Sequence, residues 1–400
     1  MNRLDNYLEV VPKGTIDFLK CLAEQVKGKK ILHINSTKVG GGVAEMLISH
    51  LPILQDLGVD AQWQTISGTE AFFNITKSFH NALQGQDQRL SQKMLQTYLE
   101  VNRENAQRLS FDAHYVVIHD PQPAALIESR PAKNKWVWRC HIDISRPQSR
   151  VWSFLKQFVV NYDAAIFSLP RFAQRLPIPQ FRIFPSIDPL SDKNRDLSLQ
   201  EQSQILSRLN VPADKPILLQ VSRFDRFKDP LGVIQTYRLV KKHHDVRLVL
   251  AGGEATDDPE GKTVLSEVRE AAREDPDIHI LLLPPDANLE INALQRSATI
   301  VLQKSLREGF GLTVAEAMWK GKPVIGGSAG GITVQLVYGV TGFTVNSVEG
   351  AAFRIRHLLN NPGLMTKIGE NAKEYVRQNF LITRHLGDWL ALMSYLGRGN

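Results

Sequence analysis

Short uninterrupted apolar runs alternate along the chain with longer stretches whose apolar positions recur every third or fourth residue. In the first half the runs are KKILHIN (Lys29 to Asn35), VDAQWQTI (Val59 to Ile66), AHYVVIHD (Ala113 to Asp120), WVWRCHID (Trp136 to Asp143), YDAAIFSL (Tyr162 to Leu169) and FRIFPS (Phe181 to Ser186). The second half repeats the rhythm with KPILLQVS (Lys215 to Ser222), VRLVLAG (Val246 to Gly252), IHILLLP (Ile278 to Pro284), TIVLQKS (Thr299 to Ser305), PVIGG (Pro323 to Gly327) and GFTV (Gly342 to Val345). Near-continuous hydrophobic strands alternating with helices predict parallel sheets covered on both faces. The repetition predicts an α/β chain of two doubly wound domains in series.

Between the halves, SIDPLSDKNRDLSLQEQSQ (Ser186 to Gln204) is polar, contains Pro189 and breaks both periodicities, so it reads as an interdomain linker. Ligands of open α/β sheets bind outside the carboxyl ends of the strands, and two such domains are expected to face each other across a cleft that holds the site.

Four hundred residues exceed what one hydrophobic core serves, and 43% hydrophobic content is ample for two. The two cysteines, Cys21 and Cys140, are too few for a disulfide framework and predict a reducing compartment. The N-terminal MNRLDNYLEV carries charges where a secretory signal would be apolar, and no window is apolar enough to span a membrane, so a soluble cytoplasmic protein is expected. A formal charge of +7 could serve nucleic acid, an anionic membrane or a phosphate-rich ligand. Lysine and arginine are scattered without blocks, which argues against nucleic acid and leaves the other two open.

The richest stretch is SLREGFGLTVAEAMWKGKPVIG, Ser305 to Gly326. It reads as the turn after a buried strand followed by a helix on which Leu312, Ala315 and Trp319 share a face and which Gly321 and Pro323 stop. Glu308 falls in the loop, and Glu316 is expected within about the first helical turn. Gly309 and Gly311, with Phe310 and Leu312 between and beside them, allow close backbone approach of a phosphate to amides at a helix N-terminus. A carboxylate would repel that phosphate, so the two glutamates fit hydroxyls flanking it: a sugar for Glu308, a ribose for Glu316. A helix-dipole role for Glu316 and a solvated loop position for Glu308 fit the same pattern.

In QVSRFDRFKDP, Arg223 and Lys228 follow another strand and could neutralise a diphosphate, Arg by a bidentate fork and Lys as a point charge; a solvated basic loop is the plainer alternative. In HINSTKVGGGVAEMLISHLPIL a strand is followed by Gly40, Gly41 and Gly42 and a helix, either a phosphate-cradling turn or merely a tight one. His141 and Asp143 end WVWRCHID and could meet sugar hydroxyls, or be a core histidine and a cap on the next helix. GGEATDDPEGKT ends like a phosphate-binding loop but has Thr256 where the first glycine is required; DPD at Asp275 to Asp277 reads as a turn, and NIT at Asn74 carries no role in a cytosolic chain.

Together these motifs resemble the family 4 glycosyltransferases, retaining enzymes of the GT-B fold, whose Arg and Lys after one strand and Glu-x7-Glu after a later one match SRFDRFK and EGFGLTVAE. FFNITKSFHNALQG, VNRENA, HDPQPAALI, WRCHID, PSIDPLS and REGFGLTVAEAMWKGKPVIG are similar to the trehalose synthases and the related trehalose phosphorylases, over nearly the whole chain.

The resemblance implies a Rossmann-like acceptor domain at 1–187, a donor domain at 188–382 and a terminal helix over 383–400 that crosses back. It implies that Arg223 and Lys228 bind the donor diphosphate, Glu316 the ribose and Glu308 the sugar; that Gly41 and Gly42 close over the diphosphate; and that His141 touches the donor sugar near its C6 hydroxyl. Gly309, Phe310, Gly311 and Leu312 join the donor site, Asp143 the acceptor. It implies glucosyl transfer from a nucleoside diphosphate glucose, uridine diphosphate glucose by family habit, by front-face attack with neither metal nor other cofactor. At Gly327 and Thr333, where the family pattern expects charge, and at YGVTGF, the chain departs from it, which leaves the acceptor open. A polysaccharide or lipid-linked glycan acceptor with peripheral contact to an anionic membrane, a phosphorylase using glucose 1-phosphate, a non-catalytic sugar-nucleotide sensor and a homodimer all remain compatible.

Overall fold

The computed structural model describes residues 3–38, 41–253 and 259–398. Thr256 of the loop-like GGEATDDPEGKT, and Gly40, lie outside the described residues. The chain divides into two compact units, Met1–Ser186 with Ile382–Asn400, and Ile187–Leu381.

In the first unit β1 (Lys30–Asn35), β2 (Asp60–Thr65), β3 (Tyr115–His119), β4 (Lys135–Cys140), β5 (Ala164–Phe167) and β6 (Gln180–Arg182) form one sheet in the order β2-β1-β3-β4-β5-β6. Every pairing is parallel. The helices α1 (Thr15–Glu24), α2 (Gly42–Asp56), α3 (Glu70–Leu83), α4 (Gln92–Arg108) and α5 (Ser149–Val159) supply the amphipathic cover. In the second unit α6 (Leu199–Arg208) precedes β7 (Ile217–Val221), α7 (Pro230–Lys241), β8 (Arg247–Gly252), α8 (Pro259–Ala272), β9 (Ile278–Leu282), α9 (Asn288–Ser297), β10 (Ile300–Gln303), α10 (Leu312–Trp319), β11 (Val324–Gly327), α11 (Ile332–Gln335), β12 (Gly342–Val345), α12 (Val348–Leu359) and α13 (Pro362–Asn379). Its sheet, also all parallel, runs β12-β11-β10-β7-β8-β9. Each apolar run of the sequence matches one strand, with β4 and β6 beginning one residue ahead of their runs, and the fold is α/β with two doubly wound sheets, as the periodicity predicts. Leu218, Leu248, Ile300 and Ile325 on the strands pack with Val233, Tyr237, Val268 and Ile355 on the helices in one buried core.

The polar segment after Ser186 is not a free linker. α6 starts inside it with a capping box, in which Ser198 Oγ accepts the Glu201 amide and the Glu201 carboxylate accepts the Ser198 amide. Ser-x-x-Glu was the missed signal. Upstream, the chain is fastened by side chains of α9: the buried Asn292 Nδ2 donates to Asp192 O and Arg195 O, both at 2.8 Å, and the partly buried Arg296 Nη2 donates to Arg195 O at 2.9 Å. Asn194, buried itself, accepts from Lys320 Nζ at 3.0 Å.

The last helix, α14 (Ile382–Gly397), belongs to the first unit. Gly387 lets it lie close to Leu19 and Phe18 of α1, and the Tyr115 hydroxyl donates to Met393 O at 2.9 Å. Trp389 is buried and donates through Nε1 to His385 Nε2 at 2.8 Å, while His385 Nδ1 lies 2.5 Å from Phe184 O.

This helix closes over an unusual core. His33, His50, His119 and His385 are all buried, and His141 is half-buried beside them. Burial holds His33 down to about 4 and His50 to about 3, and keeps His119, His141 and His385 well below the usual imidazole range; nearby Arg139 adds to this for all but His33. They are neutral at pH 7.

Two outcomes follow from this packing. Asn292→Ala removes both donations of a buried amide, leaving Asp192 O without this donor while Arg195 O keeps Arg296, and should destabilise the protein by about 1–2 kcal/mol, read by urea unfolding. The histidines take up protons in the unfolded chain near pH 6.5 but not when folded, so their contribution is complete above that pH and is lost as the pH falls toward 4, at about 1.4 kcal/mol per pH unit per proton. Asp120, raised to about 6 by burial, acts in the opposite sense as a single group. Urea midpoints should therefore drop from pH 7 to pH 5; a flat profile would contradict neutral buried imidazoles.

Candidate active site

The strand order of the second unit reverses at β7 and β10, which pair through Ile300 with Leu218 and Val301 with Leu219. Connections leave these two strands toward opposite sides of the sheet, which opens a crevice at their carboxyl ends. The loops that follow them, 222–229 and 304–311, carry Arg223, Lys228 and Glu308.

Loop 222–229 is held by its own aspartates. Asp225 accepts the Lys228 amide at 3.1 Å around the 3-10 turn Arg226–Lys228. Asp229, at φ 51, caps α7 through the Gly232 amide at 3.1 Å and pairs with Lys304. A Cβ on Gly232 would lie 2.2 Å from the Asp229 carboxylate, so only glycine permits this cap. The Leu306 amide donates to Phe227 O at 2.7 Å and ties the two loops together. Lys228 Nζ then meets Glu308 Oε2 at 2.7 Å, with 17% and 10% of the two side chains exposed. Arg223 is different: 65% of its side chain is exposed, and it meets Asp225 at only 3.5 Å.

Glu308 is positioned from three sides. Ser305 Oγ donates to it at 3.1 Å, and Gln303 Nε2 donates to Ser305 Oγ at 3.1 Å. Behind the loop, Gly331 donates to Gly309 O at 2.9 Å, and a Cβ on Gly330 would stand 1.6 Å from Glu308 O. At Gly327 a Cβ would come within 2.1 Å of Ser305 O, so this backbone has no room for a side chain there. Gln335 Nε2 donates to Phe310 O at 2.7 Å, and the Phe310 ring is buried against Phe380 at 5.4 Å, so Phe310 offers a ligand its backbone only. Gly311, at φ 82, turns the chain into α10, whose N-terminus has no side-chain cap. Leu312 opens that helix half-buried. Its first amides are open to an anion, and Lys228 is held nearby on Glu308.

Glu316 sits in the second turn of α10, not the first, and is 3% exposed. Gln295 Nε2 donates to it at 3.3 Å, and Lys193 Nζ lies 3.9 Å away. Lys320, one turn on, is brought down to about 7 by burial, against the pull of Glu316. Lys193 and Gln295 come from distant parts of the chain, and no local pattern marks them.

In the first unit, Gly41 at φ 81 stands at the N-cap of α2 without a side-chain cap, and Gly42 begins the helix; both are exposed. His141 and Asp143 lie just beyond β4. Asp143 does not cap α5, whose N-cap is Gln148; its Oδ1 accepts the Ser145 amide at 2.9 Å in a local turn. His141 is set by Asp120, whose Oδ1 accepts its backbone N–H at 2.7 Å. Asp120 has φ 65, an uncommon backbone for a non-glycine residue, fixed by its amide on Arg139 O and by Trp138 Nε1 on its carbonyl at 3.0 Å. The HD at the end of β3 was the readable hint. Among the described residues no three His, Cys, Asp or Glu side chains are grouped as a metal site would require, and no helix is long and apolar enough to cross a membrane.

Comparison with known proteins agrees with the fold. Residues 33–174 match the trehalose synthase N-terminal domain and residues 201–375 the glycosyl transferases group 1. The trehalose synthase of Thermococcus litoralis is 46% identical over 98% of this chain and 97% of its own. The trehalose phosphorylase of Pleurotus pulmonarius is 28% identical over 99% of this chain and 61% of its own. A solved structure described as trehalose-6-phosphate from E. coli bound with UDP-2-fluoro glucose superposes with a TM-score of 0.73 at 13% identity, covering 93% of this chain and 99% of that one. With its GT-B fold and near-full-length identity, the chain belongs to the trehalose synthase family of glycosyltransferases.

Proposed function

We propose that the protein transfers glucose from a nucleoside diphosphate glucose, uridine diphosphate glucose in the first instance, to free glucose, with retention of configuration and without a metal. The observation that carries the reading is the Lys228–Glu308 pair at the β7/β10 switch point, beside the uncapped N-terminus of α10. A departing nucleoside diphosphate develops charge on its phosphate oxygens. Lys228, the exposed Arg223 and the amides of Gly309 to Leu312 can bind that charge most strongly in the transition state. Lys228 and Glu308 neutralise each other across 2.7 Å, and a substrate whose phosphate meets the lysine and whose sugar hydroxyls meet the glutamate replaces one ion pair with two charge-assisted contacts. Glu316 is the ribose acceptor, already oriented by Gln295. In the first unit we assign His141 to a sugar hydroxyl, Asp143 to the acceptor and the amides of Gly41 and Gly42 to phosphate. The UDP-2-fluoro glucose of the E. coli structure supports a nucleotide donor; the trehalose synthase relatives support glucose as acceptor.

Retention is assigned to front-face attack, in which the acceptor hydroxyl passes its proton to the departing phosphate as the glycosidic bond forms. The two cations take the place a divalent ion would otherwise fill.

Incubation with uridine diphosphate glucose, with and without glucose, should give a non-reducing disaccharide only when glucose is present. Glucose-independent release of the diphosphate would move the acceptor to a larger glycan, and turnover on glucose 1-phosphate unaffected by uridine diphosphate would replace the reading with a phosphorylase. Arg223→Ala and Lys228→Ala should each lower kcat by about 10²-fold or more while the far-ultraviolet circular dichroism is unchanged; undiminished turnover in either would remove that residue from the site.

A further inference from the structure

The histidines of the first unit do more than fill space. His33 Nδ1 lies 3.0 Å from His119 Nε2, and His119 Nδ1 lies 2.9 Å from His141 Nε2. Both pairs have ring centroids 5.2 Å apart, longer than the nitrogen contacts by about two ring radii, so the rings meet edge to edge through hydrogen bonds and are not stacked face to face. The chain starts on β1, passes the end of β3 and ends just beyond β4, where His141 is half-buried and the other two are buried.

A neutral imidazole has one N–H and one lone pair. Three neutral imidazoles linked nitrogen to nitrogen cannot choose their tautomers separately: all carry the proton on Nδ1, or all carry it on Nε2. The two ends decide between these. With every proton on Nε2, the His33 N–H points into the core, where that nitrogen has no partner in the protein. Its aromatic neighbour Trp389 meets it near-perpendicular, at 77° and 5.7 Å, a weak substitute for a hydrogen-bond acceptor, and the indole N–H is committed to His385. With every proton on Nδ1, both internal protons are hydrogen-bonded, the unpaired core group is a lone pair, and the third proton stands at the open end. Orphaned buried N–H groups are the rarer and costlier defect.

We propose that His33 and His119 are positioning residues that lock His141 in its Nδ1–H form, so that His141 presents a hydrogen-bond donor, and not an acceptor, to an oxygen of the sugar. The form is the minor one in free histidine, so its presence has to be imposed. The catalytic part of the inference rests on the assignment of His141 to a sugar hydroxyl; the tautomer part does not. A donor at this place selects the lone pairs of a hydroxyl and leaves that hydroxyl's own proton free for another partner.

The test is 15N NMR of the full chain labelled at histidine, with each signal assigned by its loss in a single substitution. All three residues should show the Nδ1–H pattern between pH 7 and 8; a His141 protonated on Nε2, or a His119 of opposite tautomer to its neighbours, overturns the proposal. Two variants of the buried end test the consequence. Gln at 33 can still donate to His119, whereas Phe cannot, so His33→Phe should lower kcat by about tenfold with little change in KM, and His33→Gln should recover most of it. Equal kcat in both variants would reduce His33 to packing and overturn its positioning role. If the wild-type chain transfers glucose from no nucleoside diphosphate, the function proposed above fails, while the tautomer pattern is still decided by the spectrum alone.

Discussion

A parallel sheet covered by helices on both faces has no solvated side, so charges that work on a ligand have to enter at the strand ends. In the second unit the strand order reverses at β7 and β10, and the two loops leaving that point carry the lysine and the glutamate that pair there. The surrounding features serve to keep those loops fixed. Two aspartates cap the turns of the first, an amide-to-carbonyl bond joins it to the second, and glycines behind the second leave room for its backbone. Arg223, exposed and weakly held, is the exception.

The first unit solves the same problem with the opposite material. The carboxyl ends of β1, β3 and β4 are backed by neutral imidazoles, and Asp120, in a left-handed backbone, supplies the acceptor that orients His141. Neutral groups can be buried in number without the desolvation cost of charges, provided each proton finds a partner. A network of that kind transmits orientation from the core to the surface through hydrogen-bond direction alone.

The sequence was transparent where short-range pattern decides the outcome. Runs such as KPILLQVS and TIVLQKS are buried on both faces, and their hydrophobicity shows it; the loops after them could be found because their strands could. It was opaque where partners are far apart. Nothing local ties Lys193 or Gln295 to Glu316, or His33 to His119, since these contacts arise only once strands are placed side by side. Two features were local and still missed. The capping box at Ser198 hid in a stretch read by its polarity, and that Phe310 has only its backbone to offer, its ring being needed in the core, could not be read from the loop.

The terminal helix has one more consequence, for the order in which the chain becomes a protein. Trp389 and His385 are core residues of the first unit, yet they lie on the last helix of the sequence, after the whole of the second unit. On the ribosome, where N-terminal parts ordinarily fold first, the continuous second unit is complete while the first still waits for its final wall. The histidine core therefore stays open to water until α14 has followed the second unit, and that helix is the one that dries it.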